Sequence, residues 1–130
     1  MALIPYDDRD GYIWMNGKLV PWRDCKVHFM THSLHYAGAV FEGVRCYGGK
    51  IFKINEHSQR LIDGCKIMDI SFDYTVEQVN QACIEAVRAN NITDGYLRPL
   101  VWRGAEQIGV GAPEAKTNFA VAAWDWPQYY

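Results

Sequence analysis

Residues 40–47 read Val-Phe-Glu-Gly-Val-Arg-Cys-Tyr. The alternation predicts a strand, because successive strand side chains point to opposite faces of a sheet. Val40, Glu42, Val44 and Cys46 share one face, and Phe41, Gly43, Arg45 and Tyr47 share the other. The first is a core face apart from Glu42, whose carboxylate needs a partner if buried. A buried salt bridge is the plain reading, though the sequence does not name the partner. The second face holds an aromatic, a gap and a cation. It suits a ligand floor, where Gly43 leaves room and Arg45 offers a planar donor fork to a carboxylate or phosphate. An amphipathic strand with a solvated arginine is the plainer alternative.

Working outward, Tyr12–Met15 and 18–22 predict a hairpin around Asn16-Gly17, a strong two-residue turn signal. Residues 31–38 suit a short helix or loop with Gly38 as its stop. After the strand, Gly48-Gly49 turns the chain into Lys50–Lys53. Asn55 is a candidate cap for a helix running to about Asp69, with Leu61, Cys65 and Met68 as its apolar stripe. Thr75 with Gln78 forms a capping box. It opens a helix whose buried face is Val76, Val79, Cys83 and Val87 and which ends near Asn90-Asn91. Tyr96–Arg103 predicts a strand, and Pro99 within it predicts an edge or a bulge. Residues 104–116 predict a loop. Phe119–Trp124 predicts a strand that is apolar on both faces and therefore central. The order lacks the regular alternation of a doubly wound fold. It predicts an α+β class, a largely antiparallel sheet with two main helices packed on it.

With 130 residues, 49% of them hydrophobic and 22% charged, the chain is long enough for one core and ordinary for a globular protein. Net charge is −2, so no broad basic footprint for nucleic acid exists. No apolar run approaches the roughly 20 residues that span a bilayer, so no membrane partner is expected. The beginning, Met-Ala-Leu-Ile-Pro-Tyr-Asp-Asp-Arg-Asp, does not resemble a secretory signal. Cys25, Cys46, Cys65 and Cys83 form no CxxC pair, which favours free thiols and a reducing, cytoplasmic setting. His28, His32 and His35 could share a helical face, but no carboxylate or cysteine at matching spacing completes a metal shell. Hydrogen-bonded packing histidines are the preferred reading, and no metal is assigned.

The strand from Tyr96 repeats the ligand-floor pattern, with Tyr96, Arg98, Leu100 and Trp102 on one face. Arg60, one position before Leu61, is either a solvated helix arginine or one that reaches an anion beside the sheet. The loop Ile108-Gly109-Val110-Gly111 could present backbone N–H groups to a carboxylate, a weak signal by itself.

Taken together, Tyr12-Ile-Trp-Met-Asn-Gly17, His32-Ser-Leu-His-Tyr36, Val40-Phe-Glu-Gly-Val-Arg45, Glu56-His-Ser-Gln-Arg-Leu61, Tyr96-Leu-Arg-Pro-Leu100 and Trp124-Asp-Trp126 resemble the class IV aminotransferases, pyridoxal-phosphate enzymes of fold type IV. The similarity is strongest to the branched-chain amino acid aminotransferases. It implies that Arg60 holds the phosphate of pyridoxal 5′-phosphate. It implies that Tyr36, Phe41, Gly43, Trp126 and Tyr129 shape the substrate side-chain pocket, with Arg45, Tyr96 and Arg98 as its polar set. In the family, the arginine matching Arg98 receives the distal carboxylate of glutamate. Ile108, Gly109 and Val110 match a loop that reaches the neighbouring subunit's site, which implies a homodimer or higher homo-oligomer. The implied substrates are amino acids and 2-oxo acids. Ala37-Gly38-Ala39 departs slightly from the family pattern, with little expected consequence for packing.

One departure matters more. Transamination needs a lysine that bonds the cofactor and moves the α-proton. The six lysines, Lys18, Lys26, Lys50, Lys53, Lys66 and Lys116, lie outside any family lysine motif. The resemblance places the Schiff-base lysine beyond Tyr130, in a large cofactor-binding C-terminal domain. The chain is therefore expected to comprise the small N-terminal domain (1–123) and the start of the interdomain segment (124–130). By itself it is expected to contain no catalytic residue and to be inactive. The aromatic cluster Trp124, Trp126, Tyr129 and Tyr130 supports that reading, since it needs a partner surface. Two alternatives stand beside it. One is a sister activity resembling D-amino-acid aminotransferase or aminodeoxychorismate lyase, which Phe41-Glu42-Gly43-x-Arg45 disfavours. The other is a non-catalytic binding or dimerisation module.

Overall fold

The computed structural model describes residues 3–126. Strands β1 (Tyr12–Met15) and β2 (Lys18–Pro21) form the expected hairpin. Asn16 and Gly17 supply φ of 49° and 91°, the paired positive values such a turn demands. Trp22 opens a single 3-10 turn, Trp22–Asp24, where the sequence reading extended the strand. Helix α1 (His32–Tyr36) ends on Ala37, whose φ of 59° is left-handed, so the stop is Ala37 and not Gly38.

The stretch 40–47 forms two strands, β3 (Ala39–Phe41) and β4 (Val44–Tyr47). Both pair with β6 (Gly95–Arg103) in one unbroken register, Phe41 facing Leu100 and Val44 facing Leu97. Pro99 explains the gap. Glu42 N–H donates to the Pro99 carbonyl at 3.0 Å, but proline has no N–H to return. The predicted alternation survives the gap: Glu42, Val44 and Cys46 are buried, while Phe41, Gly43 and Tyr47 are exposed.

Strands β5 (Lys50–Ile51) and β7 (Thr117–Asp125) complete a sheet in the order β2-β1-β7-β6-β4-β5, with every pairing antiparallel. Strand β7 is central, as its two apolar faces predict. Strand β6 is interior too, so Pro99 marks neither an edge nor a bulge. It is tolerated because the donor it lacks would face β3–β4, at the interrupted pairing.

Helices α2 (Ile54–Ile67) and α3 (Val76–Ala89) pack against each other and on one sheet face. Asn55 does not cap α2. The cap position is Lys53 in a left-handed conformation, and Asn55 Oδ1 instead accepts from Asn80 Nδ2 on α3. Leu61 and Cys65 are buried, but Met68, expected in the same stripe, is 46% exposed just past the helix end. Helix α3 starts on the predicted capping box, Thr75 Oγ1 accepting from Gln78 N and Gln78 Oε1 from Thr75 N. Its Val79, Cys83, Ala86 and Val87 meet Leu97, Val101, Phe119 and Val121 in the core. Among the described residues, the opposite sheet face carries no helix as long as these two.

Burial pushes the Cys65 thiol up to about 11 and the Cys83 thiol up to about 12. All four cysteines are free. No helix among the described residues is long and apolar enough to cross a membrane.

Candidate active site

Register and alternation place Arg45, Tyr96 and Trp124 side by side across β4, β6 and β7, on the face that α2 and α3 leave open. Arg98 follows on the same face of β6. Its guanidinium carbon lies 4.3 Å from the centre of the Phe41 ring, and its Nη2 donates to Tyr96 Oη at 3.1 Å. Its Nε is buried and has no hydrogen-bond partner among the described residues. Gly43 makes the arrangement possible, because a Cβ there would collide with Tyr96 Oη. Arg45 Nη1 donates to the Trp126 carbonyl at 2.9 Å, and the Tyr96 and Trp126 rings meet edge to face at 4.8 Å. Phe41, Gly43, Arg45, Tyr96, Arg98 and Trp126 therefore form one cluster.

Beside it lies an open cavity of about 350 Å³, lined mainly by apolar side chains including Ile13, Leu34, Leu100 and Trp102, with Arg98 at its wall. A largely apolar space with one guanidinium can take a hydrocarbon side chain and can also neutralise a carboxylate.

The other candidates lie elsewhere. Tyr36 sits on α1, its ring 4.6 Å from His32. Buried His32 uses Nε2 to donate to the carbonyls of Gly109 (2.9 Å) and Val110 (3.2 Å). That assigns the Nε2–H tautomer and pins Ile108–Val110 to α1. Val110 remains 75% exposed. His28 Nδ1 accepts from Met30 N, and His35 Nε2 pairs with the Phe29 carbonyl. Each of these three histidines is thus engaged by backbone, but only His32 is buried as the packing reading expects; His28 and His35 are exposed. Tyr129 lies outside the described residues.

Arg60 belongs to the helix-covered side of the β3–β4 strand. There the buried Glu42 finds its partners. Its Oε2 accepts from Arg60 Nε at 2.8 Å, and its Oε1 accepts from Arg60 Nε at 3.1 Å and His57 Nδ1 at 2.7 Å. The Glu42 carboxylate raises the already high pKa of the Arg60 guanidinium. Sequence reasoning missed His57, although its spacing of three from Arg60 on one helix face signals a shared target. It also missed the edge-to-face contacts of Tyr6 and Trp22 with Trp124, at 5.3 and 6.5 Å, whose ring in turn meets Tyr96 and Trp126. No local motif links those positions.

The family model described as "Amino-transferase class IV" matches residues 39–130. The chain belongs to the class IV aminotransferases. Among curated relatives of this class IV chain, the branched-chain-amino-acid aminotransferase of Pseudomonas aeruginosa is 44% identical over 126 residues, covering 94% of this chain and 41% of the relative. The crystal structure of the Escherichia coli branched-chain amino acid aminotransferase superposes with a TM-score of 0.87 at 40% identity, covering 93% of this chain and 41% of that one. The branched-chain aminotransferase of the thermophilic archaeon Thermoproteus uzoniensis, solved with norvaline, superposes with a TM-score of 0.84 at 32% identity, covering 91% and 41%. The chain thus spans about 40% of the length of these class IV relatives, and it has the fold of their matching part.

Proposed function

We propose that this chain is the N-terminal small domain of a branched-chain amino acid aminotransferase, moving the amino group of Leu, Ile or Val to 2-oxoglutarate. The observation that carries this reading is Arg98, stacked on Phe41, tethered to Tyr96 and bordering an apolar cavity, with Nε unpartnered among the described residues. One pocket must accept both an aliphatic side chain and the distal carboxylate of glutamate. Phe41 and the cavity wall bind the first, while the Arg98 N–H donors orient the second. Arg45, held by the Trp126 carbonyl, adds a second cation at the same face.

Pyridoxal 5′-phosphate, when bound, supplies the electron sink for amino-group transfer. The donor set fits its phosphate at Arg60. That side chain is 73% exposed, spends only Nε on Glu42, and leaves both Nη groups without a protein partner among the described residues. All six lysines are exposed, and Lys53 faces Glu56 at 3.6 Å. None sits in a water-excluding pocket of the kind that keeps a lysine neutral and reactive. We therefore assign this chain no transaminase activity by itself, and assign the cofactor-bonding lysine to sequence beyond Tyr130. Residues 1–123 form the domain and 124–130 begin the connection onward. The free thiols support a cytoplasmic setting. The exposed Ile108–Val110 loop supports a homodimer or higher homo-oligomer, and the substrates are amino acids and 2-oxo acids.

In the holoenzyme, Arg98→Ala should reduce turnover with glutamate by about ten- to a hundredfold more than turnover with leucine. An equal loss for both overturns the pocket assignment. Mixing the 130-residue chain with pyridoxal phosphate should give no absorbance that survives washing. A persistent band abolished by changing a single lysine overturns the assignment of inactivity.

A further inference from the structure

The Glu42 carboxylate stands on the helix-covered side of its strand, just where Pro99 interrupts the ladder. Two residues of α2 grip it, His57 at 2.7 Å and Arg60 at 2.8 Å. The carboxylate side chain is 4% exposed while that of Arg60 is 73% exposed, so a buried anion is holding an otherwise solvated cation. The grip uses Nε alone. A guanidinium is planar and rigid, so fixing Nε against a buried carboxylate also fixes the direction of both Nη groups. A free surface arginine would lose its rotamer freedom when an anion arrived. Here that loss is already taken by folding.

We propose that Glu42 is a positioning residue that pre-orients Arg60 for the cofactor phosphate, with His57 holding Glu42 in place. The proposal rests on the reading of Arg60 as the phosphate-holding arginine. The helix supplies the cation, the sheet supplies the anion that aims it, and the two Nη groups face outward to take two phosphate oxygens. His57 Nδ1 occupies Oε1, which keeps that oxygen from turning into solvent. A carboxamide at position 42 keeps the shape but substitutes an NH2 for one oxygen. Because Arg60 Nε contacts both oxygens, at 2.8 and 3.1 Å, the NH2 faces that donor in either orientation and loosens the arm.

The test compares dissociation constants for pyridoxal phosphate and for pyridoxal, which lacks the phosphate, in the holoenzyme and its Glu42→Gln, Arg60→Ala and doubly substituted forms. Glu42→Gln should weaken pyridoxal phosphate on the order of tenfold and leave pyridoxal unchanged. In the Arg60→Ala background it should change neither. If Arg60→Ala does not alter the preference for the phosphate-bearing form, the reading of Arg60 fails, and the positioning role with it. If Arg60→Ala does alter it but Glu42→Gln does not, or if the two losses add, positioning fails while Arg60 stands. A second measurement needs no variant. In the wild-type 130-residue chain, the Arg60 Nε–Hε nuclear resonance should exchange slowly with water and sit apart from those of other arginines. An Arg60 resonance coincident with that of free arginine overturns the proposal.

Discussion

Gly43 shows how a single missing atom makes room for a neighbouring ring. Its open backbone lets Tyr96 Oη lie across the strand, where it tethers Arg98. Gly43→Ala should therefore displace the tyrosine and free the arginine. Its KM for leucine in the holoenzyme should rise about ten- to a hundredfold, while the thermal midpoint changes little, because position 43 is outside the core. Cys83 makes the opposite point, a side chain whose environment governs stability alone. Its thiol pKa rises from 9.0 to about 12 on folding because the thiolate is stripped of water. The folded chain keeps the proton where the unfolded chain gives it up, so stability should fall as pH rises above about 9. Cys83→Ala should flatten that alkaline limb in urea unfolding measured from pH 8 to 11. The same burial should leave Cys65 and Cys83 unreactive to alkylation at pH 8 until the chain is unfolded.

Elements were legible where local chemistry decides them. Asn16-Gly17 and the Thr75–Gln78 box act through their own backbone, and both form as the sequence predicts. Thr75→Ala should cost about 1 kcal/mol of stability by urea unfolding. Elements decided by distant partners were not legible. Pro99 suggested an edge because its missing donor counts against a central strand, yet the strand opposite simply leaves that pairing open. Asn55 suggested a cap because asparagine favours that position, but the Ser58–Asn80–Asn55 chain of hydrogen bonds between α2 and α3 claims it. The alternation of 40–47 and the face shared by Tyr96 and Arg98 were readable in advance. The partner of Glu42 was not, since 15 to 18 residues separate it from His57 and Arg60. The hold of His32 on Gly109 and Val110 spans still more chain. His32→Phe keeps the ring buried but removes the donor. Amide hydrogen exchange at Ile108–Val110 should then accelerate several-fold, with β6 and β7 unaffected.

At the scale of the molecule, the sheet has one face under two helices and one face that carries the Phe41–Arg98 cluster and the apolar cavity beside it. Exposed apolar side chains, Val27 and Leu34 among them, line the cavity on that second face. A surface of this kind favours association. Sedimentation of the chain should show mass rising with concentration, and Leu34→Asp should suppress the rise without lowering the thermal midpoint.

The two-sided sheet also sets what β6 can tolerate along its length. From Gly95 to Val101 the residues alternate between buried and half-buried. Changes at Leu97 and Val101 should be felt as lost protein in the cell, while changes at Tyr96 and Arg98 should leave abundance intact and alter only which molecules are accepted. Selection on this strand is expected to switch its object with every residue, so that specificity can drift at one position while its neighbours stay frozen.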